Sequence, residues 1–265
     1  MAPKKLLSSQ IPEIGRNLTK FSGKELIDRI GEDLILEVVT SILCGGNVRA
    51  LTEGLTQRRI LITNASLFLT YLRGIKEFSD FDTKYSKIVL KELLNNKLRE
   101  EDKIFLQWLI GLTGKSFQNV LRGETEDIER YLREFNERLE NTSEEIIREF
   151  GDIRTSITID NTNYLLKWPA LLHIFYAIGT QTLAIRGSEK SMYGKLFEKF
   201  ILGSVLQILG FTKIDPARSR RTKMIFWLSQ RENKRESDAT ILIKPGIGAR
   251  FDIGFNPNRS LANLG

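Results

Sequence analysis

The chain has 265 residues, of which 41% are hydrophobic, and its formal net charge is +7. This length predicts one large domain or two smaller ones, and the excess of positive charge favours a polyanionic partner. One cysteine and one histidine exclude an internal disulfide and zinc sites of the usual kind. The sequence has no uncharged apolar run of about 18 residues and no apolar signal segment, so we expect a cytoplasmic protein without a membrane partner.

The first 155 residues are predicted to be mainly helical. Apolar residues recur at helical intervals from Glu25 to Leu43, and Cys44, at the end of this helix, is expected to be a buried structural thiol. Further helices are predicted at residues 51–59, 65–71 and 84–98. Residues 125–150 have the pattern of a charged helix, or a pair of helices, with one buried apolar stripe.

Residues 102–122 are similar to a helix-turn-helix. An amphipathic helix ends at Gly111, and Thr113 is placed to cap a second helix that runs to Arg122. The alternative is an ordinary helical hairpin with a solvated face. If the second helix binds DNA, the contacts would come from its polar side chains, which are Lys115, Ser116, Gln118, Asn119 and Arg122.

Charge is distributed unevenly along the chain. Residues 124–152 contain eleven acidic and four basic residues, so this segment is expected to face away from DNA. Residues 213–235 contain eight basic and two acidic residues. This basic segment is predicted to bind phosphates, and its candidate contacts are Arg220, Arg221 and Lys223.

The next stretch links the helical region to the C-terminal part. Residues 163–183 are strongly apolar, and His173 within them is expected to be a core histidine rather than a general base. Residues 184–193 are predicted to be a polar loop. Residues 192–211 give a strong helix signal, and Glu198 lies on this helix.

Two apolar strands near the end of the sequence each carry one aspartate. Arg235–Lys244 and Arg250–Phe255 are separated by a Gly/Pro turn, with Asp238 near the start of the first strand and Asp252 in the middle of the second. Antiparallel pairing through this turn would bring the two aspartates close together. A carboxylate in an apolar strand is costly unless a cation pairs with it, so two of them indicate a divalent metal.

The helix with Glu198, the apolar run 223–229 and the two acidic strands resemble the core of a type II restriction endonuclease of the PD-(D/E)xK superfamily. Residues 192–255 resemble the CfrBI-like family within it. The resemblance implies an α+β fold: a helical portion at 1–155, followed at 156–265 by a restriction-endonuclease-like αβ core with a small mixed sheet.

The same resemblance implies an activity and its partners. Glu198, Asp238 and Asp252 would be the catalytic residues and would hold Mg²⁺. The protein would be a homodimer that cuts duplex DNA at a short specific site, accompanied by a cognate DNA methyltransferase of the same system. The alternative is a non-enzymatic DNA-binding protein, either a degenerate nuclease or a helix-turn-helix regulator, and a helical scaffold is a third, weaker alternative.

The sequence departs from the superfamily pattern at the lysine. The pattern places a lysine two residues after the second acid, where this chain has Gly254. Lys244 lies at the turn, and Arg250 shares a face with Asp252 but cannot give up a proton as lysine can. The resemblance also implies a further strand and helix after Phe255, so a truncated copy with weak or no activity is expected.

Overall fold

In the computed structural model of the protein, the described residues are 6–20, 25, 28, 31–46, 48–95, 97–121, 125–217, 223–228 and 238–252. The chain divides into two compact units. The first unit combines residues 1–21 with 55–187, and the second combines residues 22–54 with 188–265. The division at residue 155 that the sequence suggested stays a prediction.

Eight α-helices cover most of the described residues. They are α1 (Glu13–Arg16), α2 (Glu32–Leu43), α3 (Val48–Glu77), α4 (Phe81–Leu93), α5 (Glu100–Leu109), α6 (Gly114–Leu121), α7 (Thr125–Phe150) and α8 (Trp168–Ile208). The two helices predicted at 51–59 and 65–71 form the single helix α3, and the charged segment forms the single helix α7. Among the described residues, no helix is long and apolar enough to cross a membrane.

The loop predicted at 184–193 is wrong, because α8 continues through it. Ile185, Glu189 and Tyr193 are all buried and lie four residues apart, so they extend one buried stripe along the helix. Arg186 and Ser188, between the first two of them, are exposed. The prediction for Cys44 is also wrong, since its thiol is exposed at the position that follows the last residue of α2.

Helix α5 lies at the centre of the first unit. Phe105, Leu106, Leu109 and Ile110 are at most 1% exposed and belong to a large apolar core. His173 lies in the same unit and is 7% exposed. Its ring contacts Tyr71, Tyr85 and Phe135, with ring centroids 4.8 to 6.1 Å away. The expectation of a core histidine is therefore confirmed.

The described residues form two small sheets. Strands β1 (Thr155–Ile159) and β2 (Thr162–Leu166) make an antiparallel hairpin in the first unit. The second unit has β3 (Thr212–Lys213), β4 (Ile225–Leu228), β5 (Ala239–Lys244) and β6 (Ile247–Phe251) in the order β3-β4-β5-β6. The β3–β4 pair is parallel and the other two pairs are antiparallel. The α+β class with a small mixed sheet is thus confirmed.

One face of the four-stranded sheet is covered by the C-terminal part of α8. Leu202 and Leu206 of the helix pack with Phe226 of β4 and with Ala239 and Ile241 of β5, and all five are buried. Residues 239 and 241 point to the same side of the strand because side chains alternate with a period of two. The opposite face of β5 therefore carries the residues at positions 238, 240 and 242.

Candidate active site and nucleic-acid interface

The β5–β6 hairpin places the two candidate aspartates. Its turn contains Gly246 at φ +80°, a value that favours glycine. The strands pair from Leu242 opposite Gly248 to Ala239 opposite Phe251, with a register shift next to the turn. Asp238 directly precedes this ladder and Asp252 directly follows it, so the same register sets the two aspartates opposite each other. Asp252 therefore lies just beyond the end of β6, not in the middle of the strand as expected.

Strand alternation gives the two aspartates a common face. Ala239 and Ile241 are buried against α8, so Asp238 and its opposite neighbour Asp252 lie on the other face of the sheet. Asp252 is exposed and Asp238 is half-buried. Opposite positions in such a ladder hold Cβ atoms about 4.5 to 5.5 Å apart. Two carboxylates that keep this spacing one residue beyond the ladder can share one cation.

This donor set fits a hard divalent cation. Like charges directly opposite each other in a ladder are destabilising, and a cation between them removes that cost. Mg²⁺ is commonly held by one or two carboxylates, with water and substrate phosphate in its other positions. Among the described residues, no three histidine, cysteine, aspartate or glutamate side chains come together. The site consists, in the described part of the chain, of the aspartate pair.

Glu198 lies on α8, one helical turn before Leu202, which packs on the sheet. The side chain of Glu198 lies outside what the structure describes. Helix α8 covers the face of β5 opposite to the one that carries Asp238, so the helix backbone and the aspartate pair lie on different sides of the strand. The part of Glu198 in the site stays a prediction.

The predicted cap between α5 and α6 is confirmed. The backbone N–H of Ser116 donates to Oγ1 of Thr113 at 3.2 Å, and the N–H of Thr113 donates to Oγ of Ser116 at 2.8 Å. This reciprocal pair satisfies two donors at the start of α6. Gly111, at φ +75°, makes the preceding turn. Phe117 is buried, whereas Lys115, Gln118 and Asn119 are exposed, as a DNA-facing helix requires.

The exposed side of α6 also has acidic neighbours. Asn119 and Val120 line a shallow pocket together with four residues of α7, which are Asp127, Arg130, Tyr131 and Glu134. Each of the two carboxylates is paired with an arginine of α7, Asp127 with Arg130 and Glu134 with Arg138. Arg122 lies outside the described residues.

The basic segment is described only in part. Lys213 on β3 and Lys223, which lies shortly before β4, are both exposed. Arg220 and Arg221 lie outside the described residues, as does Gly254. The phosphate contacts expected of the two arginines therefore stay predictions.

Arg250 was not among the predicted site residues. It lies opposite Thr240 in the ladder, on the face that carries the aspartate pair, and its side chain is exposed. Sequence reasoning discounted it because a guanidinium cannot act as a proton acceptor or donor as lysine does. The period-two pattern of β6 was the signal for its position.

Comparison with known proteins finds a matching family and a related enzyme. The model of the CfrBI restriction endonuclease family matches residues 32–258. A type II restriction enzyme of Citrobacter freundii, CfrBI, is 37% identical over 242 residues, which are 90% of this chain and 65% of that enzyme. No solved structure matches significantly. The chain therefore spans about two thirds of the curated relative's length, and it belongs to the CfrBI restriction endonuclease family.

Proposed function

We propose that this chain is a metal-dependent type II restriction endonuclease, which hydrolyses phosphodiester bonds in duplex DNA at a short specific site. The observation that carries the proposal is the placement of Asp238 opposite Asp252 at the end of the β5–β6 ladder, in a chain of this family. A non-enzymatic DNA-binding protein would have the same basic segment. A helix-turn-helix regulator would have no use for two carboxylates opposite each other at the end of a ladder.

Asp238 and Asp252 would hold the metal, proposed to be Mg²⁺, and Glu198 of α8, the helix that covers the other face of the sheet, stays the third candidate ligand. Bound there, the ion would polarise the scissile phosphate and make the attacking water more acidic. Asp238 is half-buried, so the ladder fixes its position. Asp252 is exposed and stays accessible to the DNA. This is the arrangement that we propose for a PD-(D/E)xK site.

DNA binding would rest on basic and polar residues of both units. Arg220, Arg221 and Lys223 would contact phosphates, and Lys115, Gln118, Asn119 and Arg122 of the α6 region would contribute phosphate and base-edge contacts. A two-fold palindromic site is matched by a two-fold protein, so we propose a homodimer. A cognate methyltransferase would protect the host DNA, and we keep the cytoplasm as the proposed compartment.

The test is cleavage of plasmid DNA by the purified chain. Discrete fragments that form with Mg²⁺ and not with a chelator, and that share one terminal sequence, are the expected result. Because Gly254 stands where the superfamily has lysine, we expect slow cutting that Gly254→Lys accelerates. Specific DNA binding without cutting, in the chain and in the Gly254→Lys variant alike, would favour the non-enzymatic alternative.

A further inference from the structure

The face of the hairpin that carries the two aspartates also carries one cation. Arg250 precedes Asp252 by two residues on β6, so the two side chains point to the same side of the sheet. Across the ladder Arg250 lies opposite Thr240, and Thr240 is two residues from Asp238. Arg250 is thus diagonal to Asp238, about 7 to 8 Å away between backbones, which a long side chain can span.

The guanidinium is available to a ligand. Arg250 is exposed, and among the described residues it has no hydrogen-bond or ion-pair partner. Thr240, which lies opposite Arg250, is half-buried and uncharged. No anion at that ladder position therefore competes with a ligand for the guanidinium. An arginine with free donors presents a planar fork that matches two phosphate oxygens.

We propose that Arg250 binds a DNA phosphate next to the Asp238 and Asp252 pair, and this inference rests on the proposed function. Carboxylates repel a phosphate, and Arg250 supplies a positive charge two residues from Asp252 on the same face. It holds the backbone of the DNA over the carboxylates. It does not take the place of the lysine of the superfamily pattern.

A purely structural role of Arg250 in the hairpin predicts a different result. If Arg250 only offsets the repulsion between Asp238 and Asp252, it becomes dispensable once both are neutral. We therefore choose the double variant Asp238→Asn, Asp252→Asn as the background. This background is not expected to cut DNA, so binding is measured on intact duplex. The probe is a plasmid-derived DNA duplex that contains the cleaved site. If no cleavage site has been found, the probe is a DNA duplex of mixed sequence.

Arg250→Gln is compared in this background with Lys244→Gln. Lys244 is exposed on the same hairpin and lies six residues from Asp238, so its loss removes one charge of the hairpin at a distance from the pair. We expect Arg250→Gln to weaken binding about tenfold or more, as the loss of a charge-assisted bond does, and to reduce the slope of log K against log salt by about one. Lys244→Gln should change affinity by less than about threefold, and Arg250→Lys should keep the slope.

Each outcome either supports or overturns the proposed role of Arg250. Equal binding by Arg250→Gln and Lys244→Gln overturns the phosphate role, and metal-dependent cutting by the parent would then leave the proposed function intact. A loss of binding that appears only when the aspartates are present assigns Arg250 a structural role instead. A parent chain that binds no DNA removes the proposed function and the role of Arg250 together. Equal melting temperatures of the variants show that a loss of binding is not a loss of folding.

Discussion

Asp238 lies opposite Asp252 across the β5–β6 ladder, one residue beyond the paired positions Ala239 and Phe251. Two carboxylates in opposite positions of a ladder repel each other, so the two side chains favour a cation between them. A cation that binds the folded site and not the unfolded chain stabilises the fold in proportion to the logarithm of its concentration. If the pair holds the proposed metal, metal binding is linked to the stability of the fold.

The basic segment 213–235 predicts strong salt dependence of DNA binding. If it neutralises about five phosphates, the slope of log K against log salt should be roughly −4 to −5. Exchanging both Arg220 and Arg221 for glutamate should weaken binding to all sequences alike, because phosphate contacts carry no sequence information. Fluorescence anisotropy across a salt series measures both effects. An affinity that does not change between low and moderate salt would contradict DNA binding altogether.

Exposed residues of α6 are expected to affect DNA binding in two different ways. Lys115→Gln should weaken binding to every duplex by a similar factor, whereas Gln118→Ala should reduce the preference for the specific site. Lys91→Gln, which removes an exposed lysine from α4, is the matched control for net charge. If Lys115→Gln and Lys91→Gln behave alike and Gln118→Ala keeps the preference, α6 is an ordinary hairpin helix that does not contact DNA.

The burial of His173 predicts how the free energy of unfolding depends on pH. Its imidazole is enclosed by aromatic rings, its Nδ1 has no hydrogen-bond partner in the described structure, and burial lowers its pKa from 6.5 to about 4. The unfolded chain therefore takes up a proton at pH values where the folded chain does not. The free energy of unfolding should fall as pH drops from about 6.5 to about 4, by up to about 3 kcal/mol in all.

His173→Phe isolates this contribution. Phenylalanine suits the aromatic surroundings and has no titrating group, so urea unfolding of the variant should show a flatter pH dependence in this window. The wild-type chain and the variant should differ least near pH 7, where the buried imidazole is neutral in both folded and unfolded states. Parallel curves for the two proteins between pH 4 and 6.5 would contradict a neutral buried imidazole.

Local signals in the sequence predicted the parts of the fold that depend on short-range chemistry. The Thr113 cap follows from a hydroxyl three residues before Ser116, and the charged helix predicted at 125–150 ends at Gly151, which has φ +84°. The β1–β2 hairpin was missed, although Asp160 and Asn161 at its turn have the positive φ values of a two-residue turn. The Asp-Asn pair between two runs with Thr, Ile and Tyr was the available signal.

Long-range features could not be predicted in the same way. The aspartate pair was found because a short turn fixes the register of its two strands. The relation of Glu198 to that pair depends on how α8 lies on the sheet, and no spacing in the sequence encodes it. Residues 184–193 look polar along the sequence, yet Glu189 is buried within α8, so tertiary packing overrides composition there.

The central claim is that Asp238 and Asp252 together hold the metal that DNA cleavage requires. Calorimetric titration of Mg²⁺ into the chain and into Asp238→Asn, Asp252→Asn and Asp160→Asn tests it most directly. Asp160 is an exposed aspartate of the β1–β2 turn and serves as the matched control. We predict that the chain and Asp160→Asn bind Mg²⁺ alike, and that either change at the pair removes most of the affinity and all metal-dependent cutting. Equal Mg²⁺ binding by all four proteins, or cutting that survives the loss of both aspartates, would contradict the claim.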